Sequence, residues 1–128
     1  MLVIDASALV VAAIDQEDRG RRIRRLMDDG AAAPHLIDAE VGQAIRNLVL
    51  RKLMAPEEGR RSLQAAHGYV THRHHHLDYM PRAWELRHIV SFYDALYVAL
   101  AEAGGLPLVT ADRRLAAAAD LRCEIQPV

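Results

Sequence analysis

The chain alternates short, continuous apolar runs with longer segments in which apolar residues recur every three or four positions. The short runs predict buried strands at residues 2–4, 31–33, 106–110 and 122–127, with a further possible strand near residues 69–74. The longer segments predict helices at residues 6–14, 19–27, 38–53, 56–67, 81–88, 95–103 and 113–119. Strands that alternate with helices along a chain are typical of an α/β domain built on a parallel sheet.

Local signals define where two of these helices begin. Asp38 is expected at the N-cap or in the first turn of its helix, where an acid is favoured. The segment from Ser91 to Asp94 has the spacing of a capping box, and the helix behind it is apolar on nearly every side. A helix of that kind is expected at the centre of the fold.

Three further side chains are assigned to the core, namely Tyr97, Trp84 and the only cysteine, Cys123. A lone cysteine cannot form an internal disulfide, so nothing in the chain requires an oxidising compartment. The composition, with 52% hydrophobic and 26% charged residues, is typical of a globular chain. We therefore predict a single domain that covers residues 1–128.

Composition and charge also limit where the protein acts. No stretch reaches the roughly 18 apolar residues of a membrane helix, and no basic segment precedes an apolar run at the N-terminus. The expected location is the cytoplasm, with no membrane partner.

The net charge of the chain is −1, so no overall basic field indicates binding to nucleic acid. The basic residues are almost all arginine, which suits phosphate, but a GC-rich genome would give the same bias.

Four acids are predicted to meet at one edge of the sheet: Asp5, Glu40, Asp94 and Asp112. Asp5 and Asp112 follow the two strongest apolar strands, and ligands of parallel sheets collect at that edge. Two carboxylates about 4 Å apart repel by roughly 4 kcal/mol at an effective dielectric of about 20. A hard divalent cation removes this repulsion. Taken singly, however, each acid could be only a helix cap or a first-turn acid.

The residues around these acids resemble a known family. The segments Asp5-Ala-Ser7-Ala-Leu, Tyr93-Asp94-Ala-Leu-Tyr97 and Thr110-Ala-Asp112-Arg-Arg-Leu, with Glu40 on an early helix, resemble the PIN domain family. Within it the chain is similar to the VapC-type toxins of toxin–antitoxin pairs. The resemblance implies a three-layer α/β/α fold around a central, mainly parallel sheet of about five strands.

The same resemblance implies a metal-dependent endoribonuclease. The acids Asp5, Glu40, Asp94 and Asp112 would be the catalytic residues and would bind Mg²⁺ or Mn²⁺, which activates water against an RNA phosphodiester. Ser7 and Thr110 would not bind the metal themselves but would orient the aspartates by hydrogen bonds. No further acid stands at Ala116 or Ala117, where some members have one, so the number of metals stays open.

The resemblance also implies partners. These are a VapB-type antitoxin, an RNA substrate of the transfer or ribosomal class, and a second copy of the chain in a homodimer. Arg113 and Arg114 are expected beside the pocket, where they either contact RNA phosphates or form a solvated helix face. Some apolar residues exceed the needs of one small core and could line a groove for the antitoxin or a dimer face: Leu9, Val10, Val11, Ile14, Leu48 and Leu50.

Two other clusters invite a functional reading. His72, His74 and His76 would share one strand face and could bind a transition metal, but the run reads better as an exposed segment. The arginines between residues 19 and 25 could guide RNA or meet an acidic partner, yet an exposed helix face needs no function.

Two alternative functions remain open from the sequence. A phosphotransfer domain could use Asp5 as a nucleophile. Haloacid-dehalogenase-like phosphatases, however, have a second aspartate where Ser7 stands, and receiver domains have an acidic pair and a lysine after a later strand, where Lys52 does not lie. A catalytically silent PIN-like module could bind RNA or protein without cleaving it, although all four acids are present.

Overall fold

The computed structural model describes the whole chain, from Met1 to Val128. Five strands form one sheet in the order β3-β2-β1-β4-β5, and every neighbouring pair is parallel. Their bounds are β1 (Leu2–Ile4), β2 (Ala31–Pro34), β3 (His72–His74), β4 (Leu108–Thr110) and β5 (Ile125–Pro127). The prediction of a parallel α/β sheet is confirmed.

Seven helices connect these strands: α1 (Ala6–Ile14), α2 (Asp18–Leu26), α3 (Leu36–Leu50), α4 (Pro56–Tyr69), α5 (Met80–Glu85), α6 (Phe92–Gly104) and α7 (Arg113–Ala116). A short 3₁₀ turn, Leu77–Tyr79, precedes α5. Because crossovers between parallel strands are right-handed, α1 to α4 cover one face of the sheet and α5 to α7 the other. The expected three-layer α/β/α arrangement is confirmed.

The direction of the chain across the sheet reverses at its centre. From β1 the chain moves to β2 and β3 on one side, and it then crosses back to β4 and β5 on the other. The connections that leave the carboxyl ends of β1 and β4 therefore run to opposite faces of the sheet, an arrangement that leaves a crevice for ligands between them. Asp5 follows β1 and Asp112 follows β4, so both acids lie at this crevice.

The core is built around the central strands and α6. Every residue of α6 from Ala95 to Ala101 is buried, and Tyr97 is 1% exposed, as predicted. Cys123 also packs partly buried against the core, as predicted. Trp84 contradicts the prediction, because its side chain is 62% exposed and stacks under the guanidinium of Arg87, 4.9 Å from the ring centre. Helix α5 is too short to bury it.

Several predicted boundaries were wrong by a few residues. Helix α4 runs to Tyr69, so the strand predicted near residues 69–74 begins only at His72. Strands β4 and β5 begin two and three residues later than predicted, and the helix at 81–88 ends at Glu85. Helix α7 stops at Ala116 rather than Ala119.

Helix α3 differs from the prediction at both ends. It begins at Leu36 after a His35 N-cap, so Asp38 is a first-turn acid and not the cap. It ends at Leu50, because Lys52 adopts a positive φ of 59°, and Leu53 therefore lies outside it and is 64% exposed. In this chain, no helix combines the length and the apolar character needed to span a membrane.

Candidate active site

Asp5 is the most deeply buried acid of the chain, with 4% of its surface exposed. It is the N-cap of α1, and its Oδ1 accepts hydrogen bonds from the Ala8 backbone N–H at 2.9 Å and from Ser7 Oγ at 2.7 Å. Thr110 Oγ1 donates to the other carboxylate oxygen. Burial raises the pKa of Asp5, these hydrogen bonds oppose the rise, and the charge of Asp112 adds to it.

Ser7 and Thr110 connect the ends of β1 and β4 behind this carboxylate. Ser7 Oγ also accepts from the Ala111 backbone N–H at 2.9 Å, and Thr110 Oγ1 accepts from the Asp112 backbone N–H at 3.0 Å. Thr110 is completely buried. Each hydroxyl thus fixes both Asp5 and the backbone that leads to Asp112, which is the position expected for groups that orient the acids.

Glu40 lies half-buried on the inner side of α3, as the helical pattern predicted. The Tyr97 hydroxyl donates to its Oε1 at 2.8 Å. Burial raises the pKa of Glu40, the tyrosine hydrogen bond lowers it, and the charges of Asp94 and Asp5 raise it further. The pKa of Tyr97 is itself raised by burial and by these acids, so its hydroxyl stays a donor.

The role of Tyr97 was missed by sequence reasoning, which placed it in the core and went no further. A signal was available. A buried tyrosine hydroxyl needs a hydrogen-bond partner, and Tyr97 is three residues after Asp94, on the same face of α6. That face was already predicted to point at the acids.

Asp94 lies in the first turn of α6 and is partly buried. Its backbone N–H donates to Ser91 Oγ at 3.1 Å, which is one half of the predicted capping box. Burial raises the pKa of Asp94, and the charges of Asp5 and Asp112 raise it further. Asp112 is the N-cap of α7, where its side chain accepts from the Arg114 backbone N–H at 2.8 Å.

The four acids therefore act electrostatically on one another. Asp5 and Asp112 both raise the pKa of Asp94, and Asp94 and Asp5 both raise that of Glu40. None of the four forms an ion pair with an arginine, lysine or histidine. The side chains stand apart, so that no three of them already form a set of metal ligands. All their donor atoms are carboxylate oxygens, the type that Mg²⁺ and Mn²⁺ prefer.

The surroundings of Asp5 count against a phosphotransfer nucleophile. A nucleophile at a strand end must present a free oxygen to its substrate. Both oxygens of Asp5 are engaged by hydroxyl or backbone donors, and the carboxylate is almost fully buried. This geometry suits an oriented ligand better than an attacking group.

Arg113 and Arg114 are exposed on α7, directly after Asp112. The histidine cluster instead lies on and beside the edge strand β3. His76 Nε2 accepts from the Leu36 backbone N–H at 3.1 Å, and His74 Nδ1 lies 3.2 Å from the Tyr79 hydroxyl. These histidines therefore fix the edge strand to its neighbours, and they form no group of three metal ligands.

Comparisons with known proteins identify the family. The profile of the PIN domain matches residues 2–121. Ribonuclease VapC1 of Mycobacterium tuberculosis is 45% identical over 131 aligned residues, covering 98% of this chain and 96% of the relative. A VapC ribonuclease of Mycobacterium bovis is 37% identical over 128 residues, covering 100% and 98%. The chain belongs to the VapC ribonucleases of the PIN domain family.

Solved structures show the same fold for this VapC family member. The crystal structure of PAE2754 from Pyrobaculum aerophilum superposes with a TM-score of 0.73 at 27% identity, covering 97% of this chain and 81% of that one. The resemblance inferred from the motifs around Asp5, Asp94 and Asp112 is thereby confirmed at the level of family and fold.

Proposed function

We propose that this VapC family member is an endoribonuclease that hydrolyses RNA phosphodiester bonds, acting as the toxin of a toxin–antitoxin pair. Asp5, Glu40, Asp94 and Asp112 are its catalytic acids. The observation that carries the proposal is that burial and the charges of neighbouring acids raise the pKa of Asp94 and of Glu40, while none of the four acids has a basic partner. RNA is proposed as the substrate because the two relatives described above, from Mycobacterium tuberculosis and Mycobacterium bovis, are both named ribonucleases.

A divalent cation, Mg²⁺ or Mn²⁺, fits this donor set. Asp5, Asp94 and Asp112, with Glu40, offer only oxygen ligands, and burial together with mutual repulsion raises the pKa of three of them. A bound cation would remove that repulsion and would supply a water of lowered pKa for attack on the phosphorus. The acids stand apart in the structure, so small side-chain movements are expected when they take up the ion.

The chain's own residues prepare the site. Ser7 and Thr110 hydrogen-bond to the two carboxylate oxygens of Asp5 and so fix the orientation of its side chain before any ligand binds. The Tyr97 hydroxyl occupies Oε1 of Glu40, so Oε2 is the oxygen that remains for the site.

The antitoxin is proposed to cover apolar surface on the helices. A cavity of about 270 Å³ between α3 and α4 is lined by Ile45, Val49, Leu50 and Leu63, and Leu50 is 62% exposed. Leu9, which was expected at such a surface, is instead buried in the core. A VapB-type segment in this groove, a homodimer and action in the cytoplasm are parts of the proposal that rest on the family.

The test compares the wild-type chain with Asp94→Asn, which preserves shape but removes the charge. Both are incubated with total RNA in Mg²⁺, in Mn²⁺ and in chelator. We expect discrete fragments with 5′-phosphate ends from the wild type with metal, and none in chelator or from the variant. Equal cleavage by both proteins would mean a contaminating nuclease. Binding of RNA without cleavage under any condition would identify a silent binding module.

A further inference from the structure

A second cavity lies directly beside the acids. Its volume is about 350 Å³, and its wall is formed by the start of α2, the start of α7 and the end of β5. Asp112 and Thr110 belong both to this wall and to the candidate active site. The cavity therefore opens directly beside Asp112, one of the proposed catalytic acids.

Two arginines that are distant in sequence, Arg19 and Arg113, both line the wall of this cavity. The Nη2 of Arg19 donates to the backbone carbonyl of Val128 at 2.7 Å, which fixes its side chain across the sheet edge. Arg113 makes no side-chain hydrogen bond, and neither arginine pairs with a carboxylate. Most of their guanidinium donors are thus available to a ligand.

Several other arginines of the chain are occupied. Arg82 binds Glu102 and Glu85, Arg73 binds Asp38, and Arg24 donates to the backbone carbonyls of Ala12 and Asp15. Arg19 and Arg113 therefore differ from these structural arginines in having spare donors next to the site. A planar guanidinium with free donors is well matched to a phosphate group.

We infer that Arg19 and Arg113 form a subsite for an RNA phosphate adjacent to the one that is cleaved. This inference rests on the proposed ribonuclease function and adds the residues that hold the substrate strand. Both residues are positioning residues. Arg22 and Arg25 lie on the exposed side of α2 without a carboxylate partner and extend the basic surface away from the cavity.

The test measures RNA binding separately from cleavage. Arg113→Ala and Arg19→Gln are made in the Asp94→Asn background, so that the RNA stays intact. A labelled, mixed-sequence, single-stranded RNA is titrated over a range of salt concentrations. Each variant is expected to bind about tenfold more weakly, with the salt dependence of log K reduced by about 0.7, the value for one phosphate contact on a single strand.

Arg51→Ala is the matched control. Arg51 is an exposed arginine at the far end of α3, eleven residues after Glu40 (51 − 40), or about 16 Å along the helix. Its removal should leave affinity and salt dependence unchanged. In the cleavage-competent chain, Arg113→Ala should raise KM with kcat nearly unchanged, because the subsite binds substrate and transition state alike.

The outcomes separate the two proposals. Cleavage by the wild type, together with Arg113→Ala and Arg19→Gln variants that bind RNA as the Arg51→Ala control does, would overturn the subsite and leave the ribonuclease intact. If the wild type does not cleave RNA, but RNA binding still depends on both arginines, the ribonuclease proposal is overturned and the phosphate subsite is kept. Melting temperatures equal to that of the parent protein would show that the variants are folded.

Discussion

Helix α6 carries an acid near each end, and the two acids have opposite surroundings. Asp94, in the first turn, has only other carboxylates as charged neighbours, and burial followed by their repulsion raises its pKa. Burial alone would also raise the pKa of Glu102, but hydrogen bonds from Arg82 at 2.6 and 3.1 Å and from the Arg122 backbone N–H at 2.8 Å lower it.

The difference shows what each acid contributes. Glu102 stabilises the fold, because its charge is matched and it anchors both α5 and the approach to β5 to α6. Asp94 costs stability, because its charge is unmatched in the free chain. Such a destabilising charge at the central crevice of the sheet is expected where a cation is bound during function.

The largest expected effect is on catalysis. Asp112→Asn should lower the rate of RNA cleavage by about 1000-fold or more, because the acid is proposed to hold the metal. Asparagine still accepts the Arg114 N–H and so retains the cap of α7. The matched control, Asp38→Asn, removes an acid that binds Arg73 outside the site. Single-turnover assays should find its rate close to wild type; a similar loss in both would remove Asp112 from the catalytic set.

The next effect is on stability at the paired end of α6. Arg82→Met should lower the free energy of unfolding by about 2–3 kcal/mol, because Glu102, whose side chain is 8% exposed, would lose its charged partner. Denaturant unfolding measures this. Arg21→Ala breaks an exposed pair with Asp18 and should change stability by less than about 1 kcal/mol. Equal effects would show that burial of Glu102 is unimportant.

A smaller effect of opposite sign is expected at the unpaired end. In chelator at neutral pH, Asp94→Asn should raise the melting temperature. The folded-state pKa of Asp94 is raised, so ionisation destabilises the fold above the ordinary pKa, and the penalty disappears as the pH falls below it. The advantage of the variant should therefore shrink in acid. It should also shrink when Mn²⁺ is added to the wild type. A lower melting temperature for Asp94→Asn in chelator would contradict this account.

The smallest effect concerns the ion pair between Asp38 and Arg73. Arg73 lowers the pKa of Asp38 from its ordinary value of 3.8, so the stabilisation is present above that value and is lost as the pH falls through the lowered pKa. Asp38 is 47% exposed, and screening limits the contribution to about 0.5 kcal/mol. Thermal melts of Asp38→Asn and wild type should differ at pH 7 and converge in strong acid.

Much of the fold followed from local pattern. The apolar runs that end at Asp5 and near Asp112, and the all-apolar helix behind Asp94, predicted the central strands and the central helix. This worked because a strand or helix that is buried on all sides has few polar residues, wherever it lies in the fold. Ends such as those of α5 and α7 were predicted less well, because neighbouring elements decide how far a short helix extends.

Residue type and short-range spacing were enough to indicate the family, the sheet of parallel strands and the acids that follow its strongest strands. The hydrogen bond from Tyr97 to Glu40, the exposure of Trp84 and the presence of Arg19 and Arg113 in one cavity wall beside Asp112 came only from the three-dimensional arrangement. These features involve residues that are far apart along the chain. Contacts between residues tens of positions apart depend on how whole elements pack, and no local periodicity records that packing.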